Sequence, residues 1–209
     1  MDIVESYCYL GITLHSSGKL SIAQENLKTK AMRAFFGLKR TINRSKLSFR
    51  ALSTLFDSLI KPIVLYGAPL WTPNSSIIKS LVTAIQSQSH RNILKKLNRL
   101  PSEKIHLSFL KWALGVHRKA SNVGTWGESG RFPLIYQCIK STLNYYDRIN
   151  KMEPNTFVHA ALMEQRRLKL TWYKIFEYLV KLDELYNSDH VTAFVTKNSS
   201  ANSIVMALL

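Results

Sequence analysis

The chain has 209 residues, of which 46% are apolar, so it can form one large domain or two small ones around a core. Lys and Arg number 29 against 13 Asp and Glu, and the formal net charge of +16 predicts an anionic partner. Two distant cysteines, no signal peptide and no apolar run of about 20 residues argue against disulfide frameworks and membrane spans, and they predict an intracellular protein, nuclear or cytoplasmic.

The first predicted elements are a short strand and a turn. Between residues 7 and 14 β-forming side chains alternate with a period of two, which predicts a β-strand. The segment from His15 to Gly18 carries turn residues, and Gly18 can take a positive φ. We therefore expect a hairpin, or a turn into a helix, after the strand.

A long amphipathic helix is predicted from Ser21 onward. Its apolar residues recur at spacings of three and four: Ala23, Leu27, Ala31, Ala34, Leu38 and Ile42. Its basic residues occupy the other side and the flanks: Lys28, Lys30, Arg33, Lys39, Arg40 and Arg44. Because Glu25 is the only acidic residue among them, these charges are candidates for contact with an anionic ligand; the alternative is a solvated helix face.

Two more helices are predicted before residue 101. The second runs from Ser48 to about Leu65, and Pro62 should kink or restart it. Its inward face should hold Leu52, Leu55, Phe56, Leu59 and Ile63. A third helix, capped by Ser75 or Ser76, runs through Ile85 into a basic run that Pro101 ends. That run carries a second basic stripe with residues four apart: Arg91, Lys95 and Arg99.

The C-terminal half is predicted to be helical after a polar junction. Composition turns polar and glycine-bearing between Gly115 and Pro133, and helical periodicity returns with Leu134. Further helices are predicted over residues 157–170 and 172–186, followed by a tail from Lys197 that should fray. The predicted fold is mainly α, a helical bundle preceded by a short N-terminal β-strand or hairpin, with divisions near residues 18 and 120.

The positive charge is concentrated between residues 19 and 131. The segments 19–61 and 62–131 each hold ten basic residues against two acidic ones, whereas 132–209 holds nine against seven. A long polyanion bound to 19–131 would release counterions, so its affinity should fall steeply with salt. A basic surface that only serves solubility is the alternative.

No catalytic or metal-binding motif is apparent. His90, His106 and His117 lie in the basic half without motif spacing, and they are better interpreted as surface or structural residues than as general bases. The adjacent acids Asp183 and Glu184 fall late in a helical pattern, where a solvated face is the simpler interpretation. No Walker loop, nucleophile elbow or zinc-ligand cluster is found, so we expect no catalytic residue, no metal and no cofactor.

Several short motifs follow one another over the first 147 residues. They are Tyr9-Leu10-Gly11, Phe56-Asp57-Ser58-Leu59-Ile60-Lys61-Pro62, Leu65-Tyr66-Gly67, Trp71, Leu114-Gly115-Val116, Ala120-Ser121-Asn122 and Gly127-Glu128-Ser129-Gly130-Arg131-Phe132-Pro133-Leu134. In this order they resemble the C-terminal part of the reverse transcriptase of non-LTR retrotransposons, of the Jockey and chicken-repeat-like LINE kind.

The resemblance implies a different role for each part of the chain. Residues 1–18 would be the end of the palm, with a primer-grip-like strand at Tyr9, Leu10 and Gly11. Residues 19–120 would form a helical thumb, and residues 121–209 a helical connector. Without the palm strands, the first eighteen residues should be poorly stabilised. Glu128 and Arg131 could form a helix-turn ion pair, and a structural brace at the exit of the thumb is the preferred interpretation.

The catalytic part of such an enzyme is missing from the sequence. The family's Phe-any-Asp-Asp strand, which holds Mg²⁺ in the complete enzyme, has no counterpart here, so the chain is expected to begin after the catalytic residues and to have no activity of its own. The expected function is to bind the backbone of RNA or an RNA–DNA duplex and to position a template–primer, with an upstream palm as a further partner and no membrane. The alternatives are a helical protein-interaction module and an inert retrotransposon remnant.

Overall fold

The computed structural model describes residues 4–72 and 90–170, together with 83, 172–174 and 177. These residues are mainly helical and begin with a two-stranded antiparallel hairpin, so the predicted fold class is confirmed. They fall into two compact units, the first within Met1–Gly67 and Leu94–Ile135 and the second within Ala68–Ile93 and Tyr136–Leu209. The divisions suggested near residues 18 and 120 both lie inside the first unit, and as functional boundaries they stay predictions.

The N-terminal hairpin consists of β1 (Ser6–Tyr9) and β2 (Ile12–His15), with Tyr9 paired opposite Ile12. Leu10 and Gly11 form the connection with φ of 47° and 84°. A two-residue connection with two positive φ values matches the right-handed twist of the strands. The continuous strand expected from the alternation over 7–14 is therefore two strands, and the pairing of Tyr9 with Ile12 places these two side chains on the same face, where a continuous strand would have put them on opposite faces.

Helix α1 (Ser21–Thr41) forms as its periodicity predicts. Its buried side includes Ala23, Leu27, Ala31 and Leu38. Phe35 is buried instead of the predicted Ala34, because burying a phenyl ring removes far more apolar area from water than burying the methyl group of alanine.

The second predicted helix is a continuous helical stretch with a widened turn in the middle. It comprises α2 (Phe49–Leu55), a π-helical segment (Phe56–Ile60) and α3 (Lys61–Val64). Ser48 caps it by accepting a hydrogen bond from the N–H of Ala51 at 3.2 Å. The π turn directly precedes Pro62, which has no N–H to donate and whose ring would clash in an ordinary α turn. The predicted kink at Pro62 is thus realised as a π bulge.

This bulge changes which residues face inward. A π turn holds one residue more than an α turn, so the buried side shifts along the chain. Ile60 and Val64 are buried, whereas Leu59, predicted to face the core, is 51% exposed.

The middle of the chain departs from the prediction at Pro101. After α4 (Ala68–Trp71), the next described helix is α5 (His90–Leu97), and Arg99 lies in the turn that follows it. Pro101 is the first residue of α6 (Pro101–Leu114), where a missing N–H costs nothing, so it starts a helix rather than only ending one. Apart from Thr83, the predicted third helix up to residue 89 lies outside the described residues.

Two helices follow. The first lies within the segment that was predicted to be a polar junction, and the second lies after it. α7 (Asn122–Ser129) begins at Ser121, whose hydroxyl accepts from the N–H of Gly124, and ends at Gly130 with a φ of 60°. α8 (Ile135–Asn150) agrees with the periodicity that resumes at Leu134. Part of the predicted junction is therefore helical.

The core of the first unit is an aromatic cluster. Phe109 of α6 lies between Phe35 and Phe56, with ring centroids 5.7 and 4.6 Å away. Trp112 packs edge-on against Phe35 at 5.6 Å, and the buried His106 ring stacks on Phe56 at 5.3 Å. Aromatic pairs in this range add to the energy of apolar burial. Aromatic rings thus join helix α1, the π-helical segment and helix α6.

The second unit has its own small core. α9 (Phe157–Arg167) contributes Leu162, which is buried with Ile149, Trp172 and Tyr173. The indole N–H of Trp172 donates to the carbonyl oxygen of Pro69 at 2.9 Å. Nowhere in the described ranges does a helix combine the length and apolar character needed to cross a bilayer. The predicted helix over 172–186 and the tail from Lys197 lie almost wholly outside those ranges.

Candidate nucleic-acid interface

The basic side chains of α1 differ in how free they are to meet a ligand. Arg33 and Arg40 are exposed and, among the described residues, take part in no ion pair. Lys28 is only half exposed and pairs with Glu25 at 2.6 Å. Lys30 is exposed and donates to the carbonyl oxygen of Gly11 at 3.4 Å, which places its ammonium beside the tip of the hairpin. The free charge of α1 is therefore centred on Arg33 and Arg40.

Arg44 has a structural contact that its sequence position did not suggest. It lies beyond the end of α1, in a short 3₁₀ turn (Arg44–Lys46), and its guanidinium packs over Gly115 at the C-terminal end of α6. A Cβ on Gly115 would collide with that guanidinium. A cation at the C-terminus of a helix interacts favourably with the helix dipole, so Arg44 joins two parts of the first unit.

The second predicted stripe does not lie along one helix. Lys95 is exposed on α5, and Arg99 is exposed in the turn after it. The side chain of Arg91 lies outside the described part. The prediction that Arg99 continues a helical stripe is wrong, because α5 ends at Leu97, where a turn leads into α6.

A basic groove between α1 and α6 was missed by sequence reasoning. It encloses about 530 Å³ and is lined by Lys39, Lys104, Lys111 and Arg118, with Phe36 and Trp112 as aromatic walls. Among the described residues, no carboxylate lines it. The seven-residue spacing of Lys104 and Lys111 places both on one face of a helix, so the signal was present once residues 101–114 were taken as helical.

Two contacts shape this groove. The ammonium of Lys111 donates to the carbonyl oxygen of Arg118 at 3.0 Å and so holds the loop after α6. Burial lowers the pKa of Lys111 from its ordinary value. Lys39 lies over the ring of Phe35, with its ammonium 5.6 Å from the centroid.

The primer-grip-like residues are at the tip of the hairpin. Leu10 is 72% exposed, and Tyr9 is exposed beside it. The hydroxyl of Tyr66 donates to the carbonyl oxygen of Leu10 at 2.7 Å, and the Tyr66 ring lies close to Gly11. Two of the stretches that carry the family resemblance therefore meet in space.

A second long-range contact links two other such stretches. Arg131 makes a two-pronged hydrogen bond to the carboxylate of Asp57, one arm being 3.0 Å, and Lys61 pairs with Asp57 at 3.0 Å. Burial would raise the pKa of Asp57, but the hydrogen bonds and charges of Arg131 and Lys61 outweigh it and hold that pKa below its ordinary value. Arg131 thus pairs with Asp57 and not with Glu128 among the described residues, and a brace at the exit of a thumb stays a prediction.

The histidines in the basic half lie in different surroundings. His106 is fully buried, with Nδ1 3.4 Å from the Glu103 carboxylate. The other oxygen of Glu103 accepts the N–H of Ile135 at 2.9 Å, at the first residue of α8. His117 is exposed, and its Nδ1 accepts the N–H of Lys119. The side chain of His90, like residues 183 and 184, is outside the described part.

Two of the described carboxylates have partners within the first unit. Asp57 is engaged by two cations, and Glu103 accepts a backbone N–H. Within residues 4–72 and 90–170 and the few described beyond them, no three His, Cys, Asp or Glu side chains converge. The expectation that the chain has no metal and no catalytic residue stays a prediction. Protein-family models, curated proteins and solved structures offer no match to this chain.

Proposed function

We propose that the chain binds nucleic acid through its phosphate backbone and has no catalytic residues of its own. The observation that carries this proposal is the uncompensated charge of the first unit. Residues 4–67 and 94–135 hold eighteen Lys and Arg against five Asp and Glu. Four of those five acids are already engaged, and they are Glu5 with His15, Glu25 with Lys28, Asp57 with Arg131 and Lys61, and Glu103 with the N–H of Ile135.

Such a surface attracts a polyanion for a simple reason. Cations without intramolecular partners keep a counterion atmosphere, and a nucleic acid that replaces those counterions gains their release as entropy. Contacts of this kind fix position on the backbone and carry no base information. Binding should therefore be independent of sequence, and it is the resemblance to LINE reverse transcriptases that makes a duplex containing RNA the expected ligand.

The resemblance to LINE reverse transcriptases indicates which role this nucleic-acid binding would have. In that role residues 19–120 correspond to a thumb, which holds the template–primer beside a palm that carries the chemistry, and residues 1–18 correspond to the end of that palm. Two contacts support this assignment, because each joins stretches by which the resemblance was identified: Tyr66 with Leu10, and Arg131 with Asp57. Leu10 and Tyr9 at the hairpin tip are exposed, as contact with a primer end requires.

A helical interaction module that binds acidic proteins, or an inert remnant, is the competing proposal. Binding of the full chain to a labelled RNA–DNA duplex separates them when measured by fluorescence anisotropy at about 50 and 200 mM salt. We expect tight binding at the lower salt and a loss of about a thousandfold or more at the higher one if six phosphates are contacted. Equally weak binding of the duplex and of heparin at about 50 mM salt would refute nucleic-acid binding.

A further inference from the structure

The groove between α1 and α6 has a composition that duplex binding does not explain. Duplex backbone contacts need exposed cations, which Arg33 and Arg40 supply on α1. The groove adds a large aromatic surface to its cations, and Phe36 keeps 49% of its area exposed to water. An exposed apolar ring beside lysines indicates a ligand with both an apolar face and negative charge.

The aromatic side of the groove is firmly supported. Phe36 stacks nearly parallel on Phe35, with ring centroids 6.0 Å apart and an interplanar angle of 20°. Phe35 is itself buried and packs against Phe109 and Trp112 in the core of the first unit. Phe36 is therefore the exposed end of a row of packed aromatic rings that continues into the core. Because its ring is already packed against Phe35, it loses little conformational freedom when a ligand stacks on it.

The charged side of the groove faces the same space. Lys104 and Lys111 come from one face of α6, and Arg118 from the loop that Lys111 holds by its hydrogen bond. The part of the lining that the structure describes has no carboxylate, so no acidic side chain there opposes the binding of an anion. Burial lowers the pKa of Lys111, and a phosphate nearby would oppose that shift by favouring the charged ammonium.

We propose that this groove binds single-stranded nucleic acid, with an unpaired base stacked on Phe36 and the neighbouring phosphates held by Lys104, Lys111 and Arg118. Bases in a duplex stack on one another and present no free face, whereas every unpaired base does. The volume of about 530 Å³ lies in the range of small-ligand pockets, which suits one nucleotide at a time. This inference rests on the proposed function only in that the ligand is a nucleic acid. It concerns a different site, and a single strand in place of a duplex.

The test compares a labelled oligothymidylate of about a dozen nucleotides with an RNA–DNA duplex of equal length, both bound by the full chain. Phe36→Ala should weaken single-strand binding about tenfold, leave the salt dependence unchanged and leave duplex binding unchanged. Phe36→Tyr should restore single-strand binding. Lys104→Ala with Arg118→Ala should instead flatten the salt dependence of single-strand binding, by about 0.7 in slope for each lost phosphate contact.

Three results would overturn this site. Unchanged single-strand affinity in Phe36→Ala is the first, and an equal loss of duplex binding in that variant is the second. The third is polyglutamate binding as tightly as the oligonucleotide with the same dependence on Phe36, which would assign the groove to acidic protein. If wild-type chain binds neither nucleic acid at low salt, the proposed function itself fails. If duplex binding persists while Phe36 has no effect, only the groove assignment fails.

Discussion

The hydroxyl of Tyr66 donates a 2.7 Å hydrogen bond to the carbonyl oxygen of Leu10, 56 residues earlier in the chain. This contact fixes the hairpin tip to the residues that follow α3. Asn26 adds a second link by donating to the hydroxyl of Thr13 at 2.8 Å. A lone two-stranded hairpin is marginal in water, and both faces of β1 are exposed, so these tethers decide how well the hairpin is held.

Tyr66→Phe should therefore loosen the hairpin. Loss of a net hydrogen bond worth about 1 kcal/mol predicts roughly fivefold faster amide hydrogen exchange at the paired positions of β1 and β2. The amides of α6 serve as the internal control and should not change. Unchanged exchange in the hairpin would mean that the Tyr66 contact does not hold it, while strong protection of residues 7–14 in the wild type would contradict the expectation of weak stability.

Arg33→Ala combined with Arg40→Ala should weaken duplex binding to a similar extent for all sequences. Each lost phosphate contact should reduce the salt slope by roughly 0.7 to 1. Stability should hardly change, because both side chains are exposed, unpaired within the described residues, and replaced by a good helix former. The matched control removes two cations from the second unit, Lys151→Ala with Arg167→Ala, and should leave the slope alone. Equal effects of both double variants would indicate only a general loss of charge.

Asp57→Asn should lower the free energy of unfolding at pH 7 by about 1–2 kcal/mol, since two cations lose their carboxylate in a site only partly screened by water. The folded-state pKa of Asp57 is lowered, so its stabilising contribution is present above the unfolded value of about 3.9 and is lost as pH falls through the folded pKa. Urea unfolding as a function of pH should show the gap between wild type and variant closing below about pH 4. A gap that stays constant into acid would show that the ion pairs contribute nothing.

Gly115→Ala should destabilise the first unit by about 1–2 kcal/mol. Gly115 has a φ of 74°, which strains an alanine, and the added methyl would displace the Arg44 guanidinium. Gly37→Ala is the matched comparison: Gly37 lies inside α1 with open space around it, so the change should stabilise by up to about 1 kcal/mol. Urea unfolding of both variants gives the sign. Destabilisation by both would show that chain packing, and not backbone conformation, sets the effect.

The sequence predicted elements whose periodicity has one clear apolar side. α1 was predicted because its basic and apolar residues separate cleanly along it. α6 was missed because it is buried on most sides and places Ser102, Glu103 and His106 among its buried residues, which blurs the apolar period. α7 was missed because two of its eight residues are glycines, which favour turns when they are judged without tertiary contacts.

The candidate interface was predicted only where it lies on one helix. Arg33 and Arg40 follow from spacing along α1. The groove brings Lys39 and Phe36 of α1 to residues some 70 positions later in α6, and no local pattern encodes that proximity. The contact of Arg44 with Gly115 is equally non-local. Local patterns give the faces of helices, whereas the meeting of two faces depends on how the core packs.

The first unit is built from two separated stretches of chain, and this has a consequence for synthesis. Phe35 and Phe56 are covered by Phe109, and Asp57 and Glu103 each have one partner that comes much later in the chain, the side chain of Arg131 and the N–H of Ile135. A ribosome adds about 5–20 residues per second, so several seconds pass between emergence of Gly67 and emergence of Ile135. Until α6 has been synthesised, the faces of Phe35 and Phe56 that Phe109 covers are therefore without that partner. The first stretch cannot complete the core of the unit by itself, so the unit is finished only after translation has passed Ile135.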